Sequence, residues 1–250
     1  MPNHPENEAL VGEAVRAHAT DRGGGVFIST KLSPAAHGLD AARAGMSDAL
    51  RALRVDQVDL VLIHHPACLM RPPGDACEGP WKDTWRALER LYAEGYARAI
   101  GVCNFDAPTL ARLFELAVAP VAVVQNWMDP FHQDADARAL AAARGAAYQS
   151  FSTMGRQYVA RYVDGELVNV GENPVLADAT LGAIARKHAR SPAAIALRWA
   201  LQLGAAIIPQ SSREDRVREN LRALDRGFAL DDDDMAAIAA LEGRVRKRSI

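Results

Sequence analysis

Cysteine is scarce. Cys68, Cys77 and Cys103 are the only three in 250 residues. The count is odd and no Cys-x-x-Cys pair occurs, which argues against a disulfide framework and against a zinc site. No metal ligand set is expected, and the thiols read as reduced in a cytosolic protein. Long apolar runs are missing too: none approaches the roughly 20 residues needed to span a bilayer. No basic segment followed by an apolar stretch opens the chain, so no secretory leader is expected and the location is read as cytoplasmic. An excess of one charge sign is also lacking. The 29 Lys and Arg against 31 Asp and Glu leave a net charge of -2, which argues against a nucleic-acid or membrane-surface partner. No linker, low-complexity segment or short-period repeat divides residues 1–250, which read as one domain.

What is present is apolar residue in quantity, 49% of the chain against 24% charged, enough for a sizeable core in a soluble protein. The apolar residues fall into short β-rich runs: Val26–Thr30, Val58–Ile63, Ala99–Val102, Val121–Val124, Ala146–Ser150 and Ala205–Ile208. Most are apolar throughout, as parallel strands covered on both faces require. Helical stretches alternate with them. One begins near Asn7-Glu8, ahead of the first strand. Met46, Leu50 and Leu53 share one helical face, as do Trp85, Leu88 and Tyr92. Asp106, Ser191 and Asp231 stand at N-cap positions, the first two with proline close behind, and Gly204 stands at a helix end. This alternation predicts a parallel α/β fold of the (β/α)8 barrel type, incomplete, with about six of eight strands present.

In such barrels the working residues stand at the C-terminal ends of strands. The six runs end in Lys31, in His64-His65-Pro66, in Cys103-Asn104, in Gln125-Asn126, in Phe151-Ser152, and in Pro209-Gln210-Ser211-Ser212 leading to Arg213, Arg216 and Asn220. Polar or ionisable groups at all six ends would converge on one mouth.

Asp56–Pro66, a strand ending in a histidine, resembles the signature of the aldo-keto reductases. Phe27–Leu32 is similar to the strand that carries that family's lysine. Ile100–Phe105 resembles the segment that holds the nicotinamide amide, and Ile208–Leu221 the segment that binds the adenosine phosphate. The likeness runs from about Glu8 to Leu241. It implies reduction of an aldehyde or ketone to an alcohol by NAD(P)H, with NADP as cofactor and NAD possible, and a small carbonyl compound as substrate. It makes Lys31 and His64 the catalytic pair. It assigns Asn104 and Gln125 to the nicotinamide amide, with Asn126 as the alternative if the alignment slips by one. Phe151 and Ser152 fall beside the nicotinamide ring, although Phe151 is open to a core reading as well. Gln210, Ser211, Arg216 and Asn220 fall at the adenosine end. Hydride transfer puts negative charge on the carbonyl oxygen, and a proton donor and fixed dipoles must meet it.

The likeness has gaps. The family's tyrosine, its proton donor, aligns with Pro5 or His4, and its aspartate falls before Met1. The first two strands of the barrel are likewise unaccounted for. The expectation is therefore a chain cut short at its N-terminus, by gene prediction, as a truncated isoform or as a pseudoenzyme, with little or no turnover. The alternative is a non-catalytic, NADP(H)-binding regulatory protein. Gln210 stands where the family often has lysine on the 2′-phosphate, which leaves the choice of NADP over NAD open, with Arg213 and Arg216 able to compensate. Substrate choice would depend on the Cys68–Pro80 and Tyr158–Gly171 loops and on the C-terminal tail.

Overall fold

The computed structural model describes residues 5–19, 25–66, 80–163 and 166–245. His4, Cys68, Cys77, most of the Cys68–Pro80 loop and the tail from 246 onward lie outside the described residues. Tertiary contacts group the chain into two compact units.

The first unit comprises residues 1–125 and 139–146. It opens with α1 (Pro5–Ala19), followed by β1 (Ser29–Leu32), α2 (Leu39–Leu53), β2 (Val58–Ile63), α3 (Pro80–Ala93), β3 (Ala97–Cys103), α4 (Ala107–Leu116) and β4 (Val121–Trp127), whose last two residues belong to the second unit. A 3-10 turn, Pro34–Ala36, lies between β1 and α2. The helix α5 (Ala135–Ala143) ends in this unit. The strands pair in parallel in chain order, β1 on β2, β2 on β3 and β3 on β4. Burial explains the continuous apolar runs: Leu60, Val61, Leu62 and Ile63 of β2 are all buried, and each such side chain contributes about 2 kcal/mol by leaving water.

The first strand begins later than Val26. The Ile28 N–H is held by the Asp59 carboxylate at 2.8 Å instead of a ladder carbonyl, and Phe27 is 67% exposed. The paired stretch therefore starts at Ser29, and Lys31 lies within the strand, opposite Leu62. In β3 the register shifts between Ile100 and Gly101. A Cβ on Gly101 would overlap the Val123 carbonyl oxygen, so only glycine lets these two backbones approach.

The helices bury the faces that their spacing predicts. On α2, Ala42, Met46, Ala49 and Leu53 are buried, and Leu50 is half-buried. On α3, Trp85, Leu88 and Leu91 are buried while Tyr92 is 38% exposed. Tyr92 lies one residue beyond the stripe, about 100° further round the helix. The Asp106 carboxylate accepts the Thr109 N–H at 2.9 Å and caps α4, with Pro108 in the first turn.

The second unit comprises residues 126–138 and 147–250. It contains β5 (Ala147–Phe151), α6 (Arg156–Val159), β6 (Ala160–Val163), β7 (Glu166–Asn169), α7 (Pro174–Ala177), α8 (Ala179–Lys187), α9 (Pro192–Gln202), β8 (Ala206–Ile207), α10 (Glu214–Leu221) and α11 (Asp232–Ala239). The strands β5 and β8 pair in parallel. The antiparallel hairpin β6–β7 is an addition to the six expected strands. Ser191 caps α9, whose Ile195, Leu197 and Trp199 are buried, and Gly204 follows it at φ 81. Asp231 and Asp234 cap α11 reciprocally.

Candidate active site

In the first unit the register brings the ends of β1, β2 and β3 within one residue of one another and sets Gln125 of β4 beside the last residue of β3. Lys31 lies opposite Leu62, Ile63 opposite Val102, and Cys103 opposite Gln125. His64 is the first residue beyond β2, and its N–H donates to the Leu32 carbonyl at 3.0 Å. Asn104 is the first residue beyond β3 and takes a left-handed conformation, φ 61. That turn, tolerated by asparagine at modest cost, lets its Nδ2 donate to the His64 carbonyl at 2.8 Å and to Cys103 Sγ at 3.3 Å. Asn104 Oδ1 has no hydrogen-bond donor against it among the described residues.

The electrostatics follow from burial. Loss of water holds the Lys31 ammonium below its ordinary pKa, partly offset by Cys103, and no carboxylate or tyrosine among the described residues acts on it. Burial, then the Lys31 cation and His65, hold the His64 imidazole down to about 4. His64 is therefore neutral near pH 7 and can offer one N–H and one lone pair. Burial pushes the Cys103 thiol up to about 11. It stays protonated, and its S–H donates to Gln125 Oε1 at 3.6 Å. Gln125, 3% exposed, thus shares a face with Cys103. The neighbouring Asn126 instead donates to the Asp134 carboxylate at 2.9 Å, which also receives the Tyr148 hydroxyl. Of the two alternatives, Gln125 is the one grouped with Cys103 and, through it, with Lys31.

In the second unit Phe151 closes β5 and is half-buried. Ser152 follows at φ 56, and its Oγ accepts from Gln157 Nε2 at 3.2 Å. Gln210 Oε1 accepts from Arg156 at 3.1 Å. Ser211 Oγ accepts the Arg213 N–H at 3.1 Å, a local turn before α10. The arginines here differ in partner. Arg213 pairs with Asp215 at 2.6 Å and Arg218 with Glu214 at 2.6 Å. Arg216 has no ion pair among the described residues and shares a helical face with Asn220, one turn on. A cavity of about 460 Å³ lies on another face of α10, lined by Arg190, Ser191, Asp215, Arg218, Glu219 and Arg222 among others. None of the catalytic or cofactor-binding residues expected from the sequence lines it.

Three features escaped sequence reasoning. One is Arg156, a cation 54 positions from Gln210. Another is His37, which reaches the carbonyl of His65. The third is Asp129, fully buried, whose carboxyl burial pushes up to about 6. Asp129 accepts from Trp127 Nε1, the Phe131 N–H and the Tyr158 hydroxyl. Only the Asp-Pro turn at Asp129-Pro130 marks it in the sequence.

Parallel strands joined by helices, with polar side chains gathered beyond the strand ends, define a barrel-type α/β protein. The profile of the Aldo/keto reductase family matches residues 3–242, and the chain belongs to that family. It is 35% identical over 260 residues to an NAD(P)H-dependent D-xylose reductase of Scheffersomyces stipitis, covering 96% of this chain and 80% of the relative. Among solved structures it resembles an aldose reductase from Giardia lamblia, with TM-score 0.83 and 30% identity over 97% of this chain and 82% of that one. A Bombyx mori aldo-keto reductase in complex with NADP gives TM-score 0.79 and 27% identity, covering 98% and 78%.

Proposed function

We propose that the chain binds NADP(H), or NAD(H), and directs it at the carbonyl group of a small aldehyde or ketone. When bound, the nicotinamide supplies a hydride donor. The residues present suit such a group. Asn104 Oδ1 is free to accept from a carboxamide, and the Gln125 amide is buried close by in the same unit. Phe151 and Ser152 are assigned to the nicotinamide ring. Gln210, Ser211, Arg216 and Asn220 are assigned to the adenosine phosphates, and the unpaired Arg216 guanidinium is suited to a phosphate oxygen. The Arg156 cation beside Gln210 favours NADP over NAD.

In this reading Lys31 and His64 act on the carbonyl oxygen. Neutral His64 donates an N–H hydrogen bond that orients the carbonyl, and the Lys31 ammonium stabilises the charge that develops on oxygen. His64 cannot itself deliver a proton at neutral pH, because its acid form is lost above about 4. No tyrosine or carboxylate acts on Lys31 among the described residues. A positioned general acid contributes roughly 10²–10⁴-fold, so this 250-residue chain is expected to turn over slowly by at least about 10²-fold. The observation that carries the proposal is the coupled set Lys31, His64, Cys103, Asn104 and Gln125 at the neighbouring strand ends of the first unit.

The test is the purified chain with NADPH and a reactive aldehyde, following NADPH oxidation and, separately, NADPH binding by calorimetry. Binding with slow turnover is expected. Turnover at ordinary enzymatic rates would refute the missing proton donor. Absence of binding would refute the reductase and the regulatory nucleotide-binder readings alike.

A further inference from the structure

His37 occupies the junction between the 3-10 turn Pro34–Ala36 and α2. Its Nε2 lies 3.0 Å from the His65 carbonyl oxygen, and its Nδ1 lies 2.9 Å from Thr84 Oγ1. A carbonyl only accepts, so Nε2 must carry a proton. In the neutral ring Nδ1 is then the acceptor, and the Thr84 hydroxyl donates to it. The same hydroxyl accepts the Gly38 N–H at 2.9 Å. Gly38 stands at φ 102, a conformation that favours glycine and brings that N–H to Thr84. Thr84, on α3, is fully buried. The outcome is a directed chain of bonds: Gly38 N–H to Thr84, Thr84 O–H to His37, and His37 N–H to the carbonyl next after His64.

The His64-His65 segment is thereby tied at three of its four backbone polar groups. Its first N–H goes to Leu32, its first carbonyl accepts from Asn104, and its second carbonyl accepts from His37. The Leu32 and Asn104 bonds join neighbouring strand ends. The His37 bond ties the segment to Thr84 of α3 and to the start of α2.

We propose that His37, held by Thr84, is a positioning residue that sets where the His64 imidazole stands beside Lys31. The inference rests on the reading of His64 as the carbonyl-orienting group. NADPH binding and aldehyde reduction test that reading, whereas the ionisation of His64 depends on neither. Among the described residues, the charged and titratable groups that act on this segment include Lys31 from β1 and His65 and His37 from the loops.

The experiment is a nuclear magnetic resonance titration of the His64 ring in the whole chain, with His64→Gln used for assignment. His37→Leu removes the tie, water gains access, and the His64 midpoint is expected to rise by about one pH unit from about 4. His37→Gln keeps an N–H donor at similar reach and is expected to hold the midpoint within about 0.3 unit. Thr84→Val keeps the shape but not the hydroxyl and is expected to raise it by about half a unit. If His37→Leu does not fold, Thr84→Val and His37→Gln carry the test. A midpoint unchanged in every folded variant, with only the melting temperature lowered, overturns the proposal and leaves His37 a purely structural contact.

Discussion

Truncating Arg216 separates a nucleotide-binding helix from an ordinary charged one. Three arginines on or beside α10 have similar exposure and differ in partner. Arg213 is held bidentately by Asp215, with Nε and Nη2 at 3.1 and 2.6 Å. Arg218 is held one turn back by Glu214. Arg216 has no such partner, so binding a phosphate costs it no ion pair. A charge-assisted hydrogen bond contributes about 1.5–3 kcal/mol, roughly ten- to a hundredfold in Kd. Arg216 is exposed and screened by salt, so the lower end applies and Arg216→Ala is expected to weaken NADPH about tenfold. Arg213→Ala and Arg218→Ala are expected to change Kd by less than about threefold. The assay is calorimetric titration of the three variants with NADPH at low and physiological salt, with the Arg216 effect shrinking as salt rises. Equal losses from all three would mean that α10 attracts anions only through its net charge. No loss from Arg216→Ala would remove the adenosine phosphates from this helix.

Two further outcomes follow from the first unit. His64 stands about 2.5 pH units below its ordinary 6.5, with burial the largest cause and Lys31 the second, so the cation accounts for at most about half; Lys31→Met is expected to raise the His64 midpoint, read by nuclear magnetic resonance, by up to about one unit. Because the unfolded chain takes up the His64 proton near 6.5 and the folded chain only near 4, this residue's contribution is fully present above about 6.5 and is lost as pH falls toward 4, a slope in urea midpoints that His64→Gln should flatten. Gly101→Ala would drive a methyl into the Val123 carbonyl; such overpacking costs about 1–3 kcal/mol, and a urea midpoint equal to that of the unsubstituted chain would show that the strands can separate there.

Much of this was legible from residue order. Parallel strands buried on both faces announce themselves as continuous apolar runs, and Val58–Ile63 is such a run from end to end. Asp106, Ser191 and Asp231 could be read as caps because a cap works through the next three residues, a strictly local arrangement. The register that levels Cys103 with Gln125 follows once the strands are known. The remainder depends on partners distant in sequence. The start of β1 is set by Asp59, 31 residues beyond Ile28. The assignment of Arg156 to Gln210 and of His37 to His65 has no periodicity to betray it. The hairpin β6–β7 could have been found, since Asp164-Gly165 between two β-prone runs is a strong turn signal. The difference in partner between Gln125 and Asn126 depends on the Asp134 carboxylate, which the fold brings to Asn126.

The most direct test is a nuclear magnetic resonance titration of the chain with NADPH, following the side-chain amides of Asn104 and Gln125. If this strand-end set takes the nicotinamide carboxamide, both amide signals shift and saturate together, and that of Asn126, held by Asp134, stays in place. Saturable NADPH binding that leaves the Asn104 and Gln125 amides unmoved would contradict the assignment of the Lys31–His64 site.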